Sequence, residues 1–179
     1  MNDAAFAEII RNALTMQLEA ALATLRYCID SCPVSEWESP PGESPFCQVV
    51  FHTLLYTDLY LGKDSIPFRD QTFHVEHRDV FADYGEIEDK RVRRLYDRQF
   101  CADYYAHCRR KLESVMQSET AESLRGRSGI SFRKGSRMEL HIYNARHIQH
   151  HSEQLGSRLQ LLTGTETPWF MRGYRGAGE

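Results

Sequence analysis

Apolar residues recur every three or four positions through four segments of this sequence, and that spacing constrains the fold more than any other feature. The first segment begins at Asn2 or Asp3 and should end before Pro33, because proline disfavours helical geometry in the preceding residue. Its apolar stripe consists of Leu14, Leu18, Ala21, Leu22, Leu25, Cys28, Ile29 and Cys32. One face with this period predicts a single long amphipathic helix.

The second segment is apolar nearly all round, as expected for a helix at the centre of a helical protein. Ser44 and Pro45 supply an N-cap and a first-turn proline, and Gly62 supplies the stop. His52 lies inside this apolar run, whose other members are Phe46, Val49, Val50, Leu54, Tyr56, Leu59, Tyr60 and Leu61.

The helical period returns at about residue 91 and again near Ser136 to Met138. The third segment has one face formed by Leu95, Cys101, Tyr104, Tyr105, Cys108, Leu112, Val115 and Met116. The fourth segment runs to about Leu162, where Thr163 and Gly164 end it. Residues 63–90 and 119–137 lack the period, so we expect two long irregular connections, the second with room for a short hairpin.

Four helical segments without an alternating strand pattern predict an all-α fold. The arrangement expected from their lengths is a four-helix bundle forming one domain over residues 1–179.

Composition narrows the functional classes. With 41% hydrophobic and 26% charged residues and a net charge of −3, the chain is typical of a folded protein and unlike a general nucleic-acid binder. No apolar run approaches the ~20 residues of a membrane span, and the N-terminus lacks the cationic start of a signal peptide. The five cysteines are odd in number and form no C-x-x-C, as is common in a reducing compartment. We therefore expect a cytoplasmic protein that contacts neither nucleic acid nor membrane.

Two histidines of the fourth helix fall within its apolar stripe. His147 and His151 lie one turn apart on the buried arc, whereas His150 points to solvent and His141 lies near the edge of the arc. Imidazoles at i and i+4 share a face with ~6 Å of rise between them, so both can reach one ion. Without a metal, each ring would need its own hydrogen-bond partner in apolar surroundings. His52 is a third imidazole that a bundle could bring to the same layer, which favours a divalent-metal site of these three over hydrogen-bonded core histidines.

The fourth helix argues against two other kinds of metal site. A zincin peptidase carries H-E-x-x-H with a glutamate as general base, and here Ile148 occupies that position. A di-iron carboxylate bundle needs inward-facing Glu-x-x-His motifs on two helices, and the fourth helix offers none.

Two short motifs carry a resemblance to a known family. The segment Arg146–Leu155, RHIQHHSEQL, resembles the R-H-x-x-H-H-x-x-Q-L signature on the last bundle helix of the DinB-like (YfiT-like) metalloenzyme superfamily. The segment Phe51–Tyr56, FHTLLY, resembles the second-helix element that supplies the first metal ligand. The resemblance implies that His52, His147 and His151 are the ligands and that the protein is a homodimer.

Three neutral histidines leave a divalent ion its full charge and at least one open position, the pattern of catalytic zinc sites. That position can hold water, whose pKa falls to ~7 on zinc, or a thiol, which a metal deprotonates. Several branches of the superfamily are thiol-dependent transferases or isomerases, so the resemblance implies a low-molecular-weight thiol and a small-molecule electrophile. A metal-dependent hydrolase and a non-catalytic bundle with a relict or structural site are the alternatives. Zinc and nickel both suit imidazole ligands, and the sequence does not choose between them.

Other polar residues are weaker candidates. Asn144 and Gln154 lie one turn from the proposed ligands and could hold a ring nitrogen or a bound water, although ordinary core or surface roles explain them as well. His74 and His77 lie in polar sequence without a third partner, and we expect them at the surface. A basic stretch could bind a carboxylated thiol cofactor or simply be a solvated loop; it contains Arg125, Arg127, Arg133, Lys134 and Arg137.

Overall fold

The structure, a computed structural model, describes residues 2–39, 44–63, 68–81 and 94–172. Within these ranges there are helices and no β-strand, so the all-α prediction is confirmed. The long helices are α1 (Asp3–Ser31), α3 (Phe46–Leu61), α6 (Arg98–Ser118) and α8 (Arg137–Thr163). The short helices are α2 (Val34–Trp37), α4 (Thr72–Glu76), α5 (Arg78–Phe81) and α7 (Ala121–Arg125). Among the described helices, none combines the length and the apolar character that crossing a bilayer requires.

The four long helices contact one another in a closed ring. Helix α1 packs against α8 and α6, and α3 packs against the same two helices. The largest fully buried side chains between them include Leu18, Leu22, Leu25, Ile29, Phe46, Leu54, Leu55, Tyr60, Tyr104, Leu112 and Ile148. Helices α3 and α8, which carry the three candidate ligands, therefore lie side by side.

The predicted ends of the first and last helices are confirmed. Helix α1 starts after Asn2, whose side chain accepts a backbone N–H bond, and stops before Pro33. Helix α8 starts with a capping box between Ser136 and Glu139. It ends at Gly164, whose φ of 73° is the left-handed conformation that favours glycine at this position.

Two other predicted boundaries are wrong. The N-cap of α3 is Pro45, one residue later than the predicted Ser44. Helix α6 begins directly after Asp97 rather than near residue 91, because the Asp97 side chain caps its first turn while its own backbone is extended. Leu95, predicted on the buried face of this helix, consequently lies before it and is 50% exposed.

The two connections contain more helix than predicted. The described part of residues 63–90 includes α4 and α5, and residues 64–67 and 82–90 lie outside the described chain. Helix α7 lies in the second connection and begins with a capping box between Thr120 and Ser123. An isolated antiparallel bridge pairs Arg127 with Ser136 in that connection, where the sequence left room for a short hairpin.

The loop before α8 is fixed by a close approach at Gly129. This residue has a φ of 83°, and a Cβ placed on it would lie 2.1 Å from the carbonyl oxygen of Lys63. Only glycine satisfies both conditions. The contact holds the loop, which carries Arg133, against the chain that leaves the C-terminal end of α3.

Arg137, the first residue of α8, is buried and joins that helix to the end of α3. Its guanidinium donates hydrogen bonds to the carbonyl oxygens of Tyr60, Leu61 and Gly62. It also donates to the Glu119 carboxylate at 2.8 Å. The last carbonyls of a helix have no partners within the helix, so Arg137 satisfies groups that burial would otherwise leave unpaired.

Glu119 is the buried anion that Arg137 requires. Burial favours its neutral form, but hydrogen bonds from His141, Ser123 and Arg137 lower its pKa to about 2. His141, predicted near the edge of the buried arc, is fully buried, with its Nε2 3.1 Å from the Glu119 carboxylate. Glu119 therefore stays ionised at neutral pH and connects the end of α6 with α8.

Replacing Arg137 with methionine should lower the free energy of unfolding by about 3–5 kcal/mol, because Glu119 would remain as a buried charge without its cation. Urea unfolding at pH 7 measures the effect. Adding Glu119→Gln should recover part of the loss. Arg125→Met is the control, since Arg125 pairs with Asp3 at the surface and its loss should matter little. Equal effects of the two arginine variants would contradict this role of Arg137.

Candidate metal centre

His52 on α3 and His147 and His151 on α8 come together where these two helices face each other. One ring nitrogen from each residue lies within 4.8 Å of the other two. The ring centroids are 4.7 Å apart for His147 and His151, 4.8 Å for His52 and His151, and 5.4 Å for His52 and His147. The three predicted candidates therefore form one group that could hold a metal ion.

The spacing of the three nitrogens fits a single ion. Three atoms no more than 4.8 Å apart share a point within about 2.8 Å of each, and Zn–N bonds measure about 2.0–2.1 Å. Small side-chain rotations would close that gap. Nδ1 of His147 is also buried and has no hydrogen-bond partner among the described residues. A buried nitrogen left unpaired is costly, so a ligand role or a bound water would relieve it.

Burial keeps two of the rings neutral. It lowers the pKa of His147 to about 3, with further lowering from the neighbouring His151, His52 and Arg133. Burial also lowers the pKa of His151, and nearby His150 adds to the effect. At pH 7 both rings therefore carry the lone pair that a metal needs.

Gln154 supports one of these rings. The side-chain oxygen of Gln154 lies 3.2 Å from Nδ1 of His151, so a hydrogen bond there leaves Nε2 of the same ring for a metal. Asn144, the other candidate for this role, is buried and donates to the carbonyl oxygen of Thr57 at 3.3 Å. Asn144 therefore holds α8 to α3 and does not bond to a candidate ligand.

The three histidines lie in the wall of a cleft of about 960 Å³ that opens to solvent. Within the described chain, no other histidine and no cysteine, aspartate or glutamate joins the group. Three ligands beside an open cleft are typical of a site with an exchangeable position, whereas structural sites usually have four protein ligands. The other lining residues are Tyr56, Tyr60, Phe132, Arg133, Tyr143, Arg146, Gln149, His150 and Glu153.

The basic stretch divides among different places in the structure. Arg133 lines the cleft, whereas Arg125 pairs with Asp3 and Arg137 is buried against Glu119. Of the five basic residues, only Arg133 lines the cleft, so neither a shared binding role nor a solvated loop describes the whole stretch. Sequence spacing could not show this, since the residues lie on a loop and two helix ends.

His74 was expected at the surface and is buried instead. Its Nε2 lies 2.7 Å from the carboxylate of Asp58, which also accepts hydrogen bonds from Tyr104 and Lys111. Although burial opposes ionisation, contacts with His107, His74 and Lys111 hold the pKa of Asp58 well below its ordinary value. Asp58 is the sequence feature that could have predicted this burial, because a carboxylate inside an apolar helix requires buried polar partners.

Comparison of the chain with protein-family models, with curated proteins and with solved structures finds no match. The resemblance to the DinB-like superfamily therefore depends on its two short motifs, and the convergence of the three histidines is the structural observation that points to a function.

Untagged protein incubated with Zn²⁺ or Ni²⁺ and then desalted should retain about one ion per chain. Elemental analysis measures it. The double variant His147→Ala/His151→Ala should retain none, because two of three ligands are gone. His150→Ala is the matched control, since this neighbouring ring is exposed and should not be needed. Wild-type protein that keeps its helices, by circular dichroism, yet retains no metal would contradict the site.

The depressed pKa of His147 predicts a pH dependence of stability in the metal-free protein. In the unfolded chain His147 gains a proton as the pH falls below about 6.5. In the folded protein the same ring has a pKa of about 3 and stays neutral until the pH is much lower. Relative to His147→Gln, the wild type should lose about 1.4 kcal/mol of unfolding free energy for each pH unit between 6 and 4. Urea unfolding in EDTA measures this, with Gln149→Ala, which removes a neighbouring side chain that does not titrate, as a control that should follow the wild type. Parallel profiles for wild type and His147→Gln would rule out a neutral, buried His147.

Proposed function

We propose that the protein binds one divalent ion through His52, His147 and His151 and uses it to activate a thiol for transfer to a small-molecule electrophile. The observation that carries this proposal is the convergence of three imidazoles within 4.8 Å in the wall of an open cleft. In the same proposal the four long helices form the four-helix bundle of a DinB-like enzyme. The closed ring of contacts among α1, α3, α6 and α8 supports that arrangement. A homodimer and a cytoplasmic location stay predictions, and zinc and nickel stay the two candidate ions.

The chemistry follows from the charge of the site. When bound, the ion would supply a positive charge and an open position at which a thiol loses its proton to bulk water at neutral pH. Neutral imidazoles leave that charge undiminished, which is what a thiolate requires. Gln154 would fix the orientation of His151 and thereby the direction of the vacant position.

Two tyrosines of the cleft would shield one side of the metal site from water. The ring of Tyr56 lies 4.8 Å from that of His52 and 5.6 Å from that of His147, and Tyr60 lies 5.9 Å from His147. These rings place apolar surface beside the candidate ligands. Because these rings replace water on the side of the site that they line, an anionic sulfur would be held more tightly there than on a fully exposed surface.

Hydrolysis is a second candidate, and one observation favours it. Glu153 and His150 line the same cleft as the three histidines, and either could accept a proton from a water molecule. The thiol proposal assigns these residues no role in proton transfer. The two functions differ in what should occupy the open position, which a spectroscopic titration can distinguish.

Protein loaded with Co²⁺ should change its visible spectrum when 2-mercaptoethanol is added, because a sulfur ligand adds an intense charge-transfer band. Ethylene glycol, the matched diol, should leave the spectrum unchanged. His147→Ala should lose the response together with the metal. If cobalt binds and a series of thiols produces no change, thiol activation is wrong, and hydrolysis or a non-catalytic site takes its place.

A further inference from the structure

Arg133 is held against the cleft wall by two tyrosines. Its Nη2 donates to the Tyr60 hydroxyl at 2.6 Å and to the Tyr143 hydroxyl at 2.9 Å, and its Nε donates to Tyr60 at 3.2 Å. The guanidinium carbon lies 4.3 Å from the ring centroid of Tyr143 and 5.3 Å from that of Tyr60. These contacts fix both the position and the plane of the guanidinium.

The charge of Arg133 is not neutralised by the part of the chain that the structure describes. Arg125 and Arg137 each pair with a carboxylate, whereas Arg133 forms no ion pair with a described residue. Burial raises the pKa of Tyr60 to about 12, so this acceptor is a neutral hydroxyl at pH 7. Three of the five guanidinium N–H groups are used on the tyrosines. The two N–H groups of Nη1 have no partner among the described residues.

Arg133 and the three histidines share one cleft. Tyr60 connects them, since it bonds to Arg133 and its ring lies 5.9 Å from that of His147. The other charged side chains that line the cleft are Arg146 and Glu153, both exposed. The lining therefore carries a net positive charge before any ion is bound, and this favours an anionic ligand.

We propose that Arg133, oriented by Tyr60 and Tyr143, is the binding site for a carboxylate group of the ligand that occupies the three-histidine cleft. The inference deepens the proposed function and depends on it, because the metal ion held by the three histidines would bind the other end of the same ligand. A guanidinium with fixed orientation and free N–H groups is suited to a carboxylate, which it binds through charge-assisted hydrogen bonds. The carboxylate belongs either to the thiol or to the electrophile that the thiol attacks.

A purely structural role for Arg133 makes a different prediction. If Arg133 only held the loop against Tyr60 and Tyr143, its loss would lower stability and leave ligand preference unchanged. Ligand preference is therefore the decisive property.

The first experiment compares thiols that differ in one group. Co²⁺-loaded protein is titrated with ω-mercaptocarboxylates of two to six carbons and with ω-mercaptoalcohols of the same lengths. At the best length the acid should bind at least about tenfold more tightly than the alcohol. Arg133→Met should abolish the preference for the acid, and Arg133→Lys should reduce it, because lysine keeps the charge but loses the hydrogen bonds by which the two tyrosines orient the guanidinium. Lys134→Met is the control, since Lys134 is the next residue and does not line the cleft.

The second experiment needs no metal. Glutarate added to metal-free protein should shift the NMR signal of the Arg133 Nε–H saturably, whereas 1,5-pentanediol should not. Arg133→Lys assigns the signal. If the protein fails to bind metal or thiol, the proposed function fails while this titration still decides the carboxylate site.

The two experiments together identify the source of the carboxylate. An acid-over-alcohol preference that depends on Arg133 places the carboxylate on the thiol. A glutarate response without an acid-over-alcohol preference among the thiols places the carboxylate on the electrophile. No preference and no glutarate response, or a preference retained in Arg133→Met, would overturn the proposal.

Discussion

The buried pairing of Arg137 with Glu119 and with the last carbonyls of α3 is the interaction on which the candidate site most depends. It fixes the start of α8 beside the end of α3. From that point, nine residues back along α3 reach His52 and ten residues forward along α8 reach His147, so both lie about 14–15 Å away. The two rings consequently face each other, and His151 follows one turn later. A loss of this contact would let the helices slide and separate the rings.

The sequence predicted the helices well because their signals are local. Proline at 33, the capping box of Ser136 and Glu139 and the glycine at 164 each act within a turn of the residue concerned. The candidate ligands were also predictable, because His147 and His151 share a face by helical geometry alone. Whether His52 would join them was a question of packing between helices. Its place inside the apolar run of the second helix made it a candidate, and the motif resemblance pointed to the same residue.

Other features could not be predicted because they depend on contacts far apart in the sequence. The buried position of His74 depends on Asp58 of α3, to which it bonds, and Asp58 in turn accepts a hydrogen bond from Tyr104 of α6. The cleft position of Arg133 depends on Gly129 packing against Lys63 and on tyrosines from α3 and α8. Leu95 fitted the helical period, yet the cap at Asp97 excluded it from α6. Polar partnerships and loop positions were thus set by tertiary contacts that periodicity does not encode.

X-ray absorption spectroscopy of the zinc- or nickel-loaded protein tests the central claim most directly, because it counts the ligands of the ion. Three imidazole nitrogens at about 2.0–2.1 Å in the zinc form, together with one or more ligands that added thiol replaces by sulfur, are expected. A shell of four protein ligands that thiol leaves unchanged, or one without imidazole scattering, would contradict an open three-histidine site.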